Sequence, residues 1–172
     1  IASNTSLKDL LSLVPAFYHT GYESMIAKGN LSLDACVKGQ LDDSRFPAWD
    51  FAAKVNGASI AYPDMPATID NVSIVAGSNF AGGSNLDLMT IDVDQLKATF
   101  VGNTIDANFY MKNPMTDPYM KSKLNLNVDL ATIGQVYPLE EGDEYNEKLN
   151  ADISIEGKMS TFEKEEYDKF DA

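Results

Sequence analysis

The sequence is short of the residues from which most active sites are made. It has one cysteine, Cys36, so no intramolecular disulfide can form. It has one histidine, His19, which any Ser-His-Asp or Cys-His constellation would have to use. His19 follows Pro15 in the stretch Phe17-Tyr18-His19, with no nucleophile motif beside it, and reads as a surface or interface residue. One His and one Cys do not make a zinc site, and no metal site is expected. Basic residues are outnumbered, 13 against 26 acidic, for a formal net charge of −13. That excess repels nucleic-acid phosphates, and without a polybasic run the chain has no obvious means of docking on an anionic membrane surface. No run approaches the roughly 18–20 apolar residues that span a bilayer. The chain begins at Ile1 rather than methionine, so the lack of a visible export signal or anchor carries no information.

Enough apolar material remains for a core: 44% of the 172 residues are hydrophobic. Leu7, Leu10, Leu11 and Val14 recur at helical spacing, with Ser6 placed to cap the start and Pro15 to end it. A second helical turn or two is expected within Ala16 to Lys28, and a turn at Gly29-Asn30. The period then changes to two. Leu31, Leu33, Ala35 and Val37 alternate with polar partners, as do Trp49, Phe51, Ala53 and Val55. After Asn56-Gly57 the phase moves to Ala58, Ile60 and Tyr62, as a bulge or tight turn would produce. Ile69, Val72, Ile74 and Ala76 form a strand kinked near Asn71, followed by a glycine-rich loop from Gly77 to Ser84. Leu86, Leu88, Ile91 and Val93 continue the alternation, and Gln95 to Val101 reads as a further strand. A hairpin turn at Gly102-Asn103 leads to Ile105, Ala107, Phe109 and Met111, and Leu124, Leu126 and Val128 make another strand.

The last part repeats the first. Asp129-Leu130 opens a short helix that ends at Pro138, and Leu149 to Gly157 then lies over Leu31 to Gly39 without gaps, 118 residues on. Residues 9–39 therefore match 129–157 as an internal repeat within a single segment, 1–172. Such a repeat implies a longer protein of stacked β units, each covering the strand edge of the next. The predicted fold is mainly β with short helices (α+β). It is a curved antiparallel sheet, repeat-built, with one face packed by helices or forming an apolar trough.

The stretches VDLATIGQVYP and LNADISIEGKMS resemble the AsmA-like repeats of large Bacteroidetes envelope proteins. FAAKVNGASIAYPDMPATIDNVSIVA and NPMTDPYMKSKLNLNVDL look similar to them too, so the resemblance covers roughly Leu7 to Ser160. Its motifs are structural and degenerate. It implies a periplasmic protein, anchored to the inner membrane by an N-terminal helix outside this sequence. It also implies a part in outer-membrane biogenesis and a β trough along which lipid acyl chains pass. The family has no catalytic motif and needs no cofactor. The expected partners are neighbouring repeats of the same chain, phospholipid and other envelope proteins, and no nucleic acid.

The candidate groove residues are Leu31, Leu33, Phe51, Val55, Phe109, Met111, Leu124 and Leu126, which alternation can place on one face. The plainer expectation is that most are buried as an ordinary core beneath Leu7–Val14 and the second helix. Carboxylates offer little else. Glu140, Glu141, Asp143 and Glu144 lack calcium-loop spacing and read as a solvated acidic loop. Asp92 and Asp94, with Asp87 near in sequence, share a strand face that reads as the wet side of a sheet rather than an acid/base pair. Gly82-Gly83 lacks a phosphate-loop lysine, and Cys36 faces away from Leu31 and Leu33. The competing function is a secreted or cell-surface binding module, adhesin-like, for which acidity and alternating strands serve equally well.

Overall fold

A computed structural model describes residues 3–6, 26–62, 65–136 and 147–163. The strands are β1 (Ser3–Ser6), β2 (Ile26–Lys38), β3 (Ala48–Ala61), β4 (Ile69–Phe80), β5 (Thr90–Phe100), β6 (Asn103–Lys112), β7 (Tyr119–Asp129) and β8 (Lys148–Lys158). Two short helices, α1 (Leu130–Val136) and α2 (Met159–Glu163), follow β7 and β8. The eight strands form one antiparallel sheet in sequence order, β1 through β8. The protein is mainly β, an open sheet with few short helices. Among the described residues no helix is long and apolar enough to cross a membrane.

Alternation decides which face each side chain takes. One row of paired residues runs Leu31, Val55, Ile74, Leu96, Ala107, Leu124, Ile153. The next runs Leu33, Ala53, Ala76, Val93, Phe109, Ser122, Ile155, and a third Ala35, Phe51, Ser78, Ile91, Met111, Met120, Gly157. The opposite face carries Asp34, Asp92, Lys121 and Glu156 in one such row. The sheet is thus apolar on one side and charged on the other.

Three neighbouring strands carry an extra residue: between Val55 and Ala58 in β3, which β2 meets as the register shift at Lys28/Asn30, between Asp70 and Ser73 in β4, and between Val93 and Leu96 in β5. Each extra residue bends its strand and increases its twist. The phase shift at Asn56-Gly57 is such a bulge, with Gly57 at φ +55°, and the kink at Asn71 is another, with φ +54°. The bulges let Val55 and Ala58, three residues apart, join Val72 in one cluster, at 6, 0 and 5% exposure.

Several expectations need correction. Gly29-Asn30 is no turn: both lie inside β2, which starts at Ile26 and leaves no helix over Ile26–Lys28. A Cβ on Gly29 would sit 2.6 Å from that of Ala58, so β2 needs glycine where it faces the β3 bulge. The glycine-rich loop is shorter than expected because β4 runs on through Gly77 to Phe80. Leu86–Leu88 is a 3-10 turn, capped by Asn85, rather than strand. Ile91–Val93 and Gln95–Phe100 are one bulged strand, β5, which stops one residue short of Val101. The hairpin turn centres on Val101-Gly102, both at positive φ, while Asn103 already belongs to β6. The short strand Ser3–Ser6 was unforeseen, and the helix expected over Leu7–Val14 lies outside the described residues.

Candidate functional site

All eight groove candidates lie on the apolar face. Across the three rows that span β2 to β8, no position on that face is charged, and only Ser78, Ser122 and Gly157 interrupt the apolar side chains. Both serines are satisfied within the sheet. Ser78 Oγ accepts from Trp49 Nε1 at 3.1 Å, and Ser122 Oγ donates to the Asn108 carbonyl at 2.9 Å. At about 4.8 Å per strand, the seven strands present a surface roughly 29 Å wide.

Of the eight candidates only Val55 is buried; Phe51 is exposed, and the other six are half-buried. The described strands form a single layer, and the helix expected over Leu7–Val14 and the second one expected after it, which would cover this face, fall on residues 7–25, outside the described residues. Sequence reasoning also missed part of the face. Ile74, Leu96 and Ile153 complete the first row, and Ile91, Met120 and Ile155 the others. Their alternation was visible, but their position opposite the eight candidates depends on register.

The two ends of the face differ. At one end Phe80, 1% exposed, packs on Trp49 with ring centroids 4.6 Å apart, and Phe51 lies 6.5 Å beyond Trp49. At the other end Met65 and, from α1, Ile133 join the sheet in lining an open apolar pocket of about 370 Å³, with Ile69, Phe100, Ile105 and Leu126 among its other walls. Asn103 holds that end together. Its Nδ2 donates to the Phe100 and Val101 carbonyls and to Thr132 Oγ1, and its Oδ1 accepts from the Asp129 amide. Asp129 in turn accepts the Ala131 amide at the start of α1. Only Leu126 among the cavity residues had been singled out, since Met65 and Ile133 reach it from other elements.

The carboxylates are arranged as parts of the framework. Asp92 lies across from Gly77 on the charged face, its Oδ2 2.8 Å from where a Cβ on Gly77 would be. Partial burial, with Asp94 and Asp50 nearby, raises its pKa. Asp87 is turned elsewhere: it accepts the Met115 and Thr116 amides and the Thr116 hydroxyl, which holds its pKa low. Asp117 does the same for the amide and hydroxyl of Ser160 at the start of α2. Tyr119 donates to Glu156, which also pairs with Lys121, and the Lys112 ammonium lies over the Tyr119 ring. Cys36 is exposed on the charged face, opposite Asp50. Among the described residues no group of three or more His, Cys, Asp or Glu side chains is placed to hold a metal. His19 and the Glu140–Glu144 loop lie outside the described residues.

No family model, no curated protein and no solved structure matches the chain. Its chemistry must therefore be judged from its own geometry, whose most distinctive feature is the uncharged sheet face.

Proposed function

We propose that this chain is a non-enzymatic segment of a repeat-built, periplasmic envelope protein similar to the AsmA family, and that its apolar face receives lipid acyl chains. The observation that carries this reading is the absence of charge across three seven-residue rows of one sheet face. An apolar surface on the order of 500 Å² is at the upper end of what soluble monomers leave uncovered, and such patches are commonly binding surfaces. Acyl chains suit it because they ask for area and no hydrogen bonds. The bulges across β3 to β5 supply the bending that a trough requires.

The repeat reading has support in the strand pairing. β1 and β2 close at Ser6 opposite Asn30, and β7 and β8 close at Asp129 opposite Lys148. Asn30 and Lys148 are 118 residues apart, the offset of the sequence match. The correspondence is incomplete, since Gly39 lies past the end of β2 while Gly157 is inside β8.

Native mass spectrometry after gentle purification tests the proposal. Co-purified phospholipid, or stoichiometric uptake of a fluorescent fatty acid, is the expected result. Phe109→Gln combined with Met111→Gln should weaken uptake at least fivefold while leaving the β circular dichroism intact. Protein that carries no lipid and takes up none would overturn the acyl-chain reading.

A further inference from the structure

β8 ends the sheet, and its outer edge has no strand partner among the described residues. Natural edge strands avoid unwanted pairing through bulges, prolines, brevity, charges on the edge or pointing inward, or a covering helix or loop. Among the described residues β8 carries edge charges, Lys148, Asp152, Glu156 and Lys158, but all lie on the charged face and none points inward. It is eleven residues long, contains no proline and pairs with β7 in unbroken register from Lys148 to Lys158. Its apolar-face residues are Leu149, Ala151, Ile153, Ile155 and Gly157, of which Leu149 and Ile153 are exposed. An edge this regular is suited to receive another strand.

The sequence indicates which kind. Leu149–Gly157 matches Leu31–Gly39, and β8 stands to β7 as β2 stands to β1. The side of β2 turned away from β1 is occupied by β3. We infer that the free edge of β8 binds an antiparallel strand of the β3 type, one that alternates large apolar and polar residues as Trp49–Val55 does. The β2–β3 register, moved on by 118 residues, places Leu149 opposite a residue like Val55, Ala151 opposite Ala53, Ile153 opposite Phe51 and Ile155 opposite Trp49. The incoming strand would extend the uncharged face by one more column. This inference rests on the repeat reading proposed above, and the neighbouring repeat is the natural donor.

The test uses a synthetic peptide of residues 48–61 with the whole chain in a Cys36→Ser background. The peptide should bind one to one, and Ile153→Lys, which puts a charge on the inward face of the edge, should weaken binding at least tenfold. Register is read by disulfide trapping. Ser32 faces Lys54 in the β2–β3 pair, so Asn150→Cys should trap a peptide carrying Lys54→Cys and fail to trap one carrying Ala53→Cys, which points to the other face. No binding, indiscriminate trapping, or a chain dimer through β8 that the peptide does not displace would each overturn the inference. Fatty-acid uptake by the peptide-free protein separates the two readings. Uptake without peptide binding removes only the strand-docking inference, and peptide binding in register without uptake removes only the acyl-chain reading.

Discussion

The Asn103 side-chain amide donates to the Thr132 hydroxyl at 2.9 Å, and so ties the β5–β6 turn to the first turn of α1. Asn103 is the buried polar residue at this end of the sheet, and the Thr132 hydroxyl passes the chain of bonds on to the Asp129 carbonyl at 2.8 Å. Asn103→Ala would leave the Asp129 amide and two carbonyls without this partner. The expected cost is roughly 1–3 kcal/mol, measured by urea unfolding. Because α1 lines the apolar pocket through Ile133, fatty-acid uptake should fall as well.

Two glycines at positive φ should respond differently to alanine. Gly57 has φ +55° and nothing within 4 Å of a Cβ, so Gly57→Ala should cost about 1 kcal/mol through backbone strain alone. Gly29 has φ +139° and would bring its Cβ to 2.6 Å from Ala58 Cβ, in the cluster around Val55 and Val72. Gly29→Ala should therefore cost clearly more, about 2–4 kcal/mol, by the same unfolding measurement.

The carboxylates divide by the direction of their pKa shifts. For Asp87 the Thr116 hydroxyl is the main cause of lowering, helped by the Met115 and Thr116 amides; for Asp117 it is the Ser160 amide. A lowered native pKa means stability that is present above the ordinary carboxylate range and lost as pH falls through it. Asp92 runs the other way. Its raised pKa means that stability is lost as pH rises through and above that range. Asp87→Asn and Asp117→Asn should lower stability at pH 7 and flatten its loss on acidification. Asp92→Asn should raise stability at pH 7 and change little at pH 3. Melting temperatures taken from pH 3 to 7 check both signs.

The exposed Cys36 thiol should react fully with a colorimetric disulfide reagent in the absence of denaturant. Cys36→Ser should change stability by less than about 0.5 kcal/mol, as for an ordinary surface substitution. Protection of the thiol, or a large loss on substitution, would show that this part of the charged face is covered.

Period-two alternation made the sheet legible, and it survived wherever one strand kept one phase, as in β6 and β7. The bulges were legible only where they shifted an otherwise clear pattern. Asn56-Gly57 did so, because apolar residues flank it on both sides. The partner position Gly29-Asn30 did not, since a strand glycine facing a bulge and a turn draw on the same residues and only the approach of Ala58 distinguishes them. The break near Asp94 made β5 look like two strands. Gly77 looked like a loop because its partner, the Asp92 carboxylate that covers it, comes from another strand. The groove residues could be assigned to a face from alternation. How far that face stays uncovered could not be read, because it depends on the number of layers in the fold.

The strand order also has a mechanical consequence. Among the described residues each inner strand pairs only with its predecessor and its successor, and β1 and β8 are not paired with each other. Stability in such an arrangement accumulates seam by seam, as in a linear array with nearest-neighbour coupling. Pulled from the β8 end, the sheet should peel one strand at a time, at forces set by each local seam.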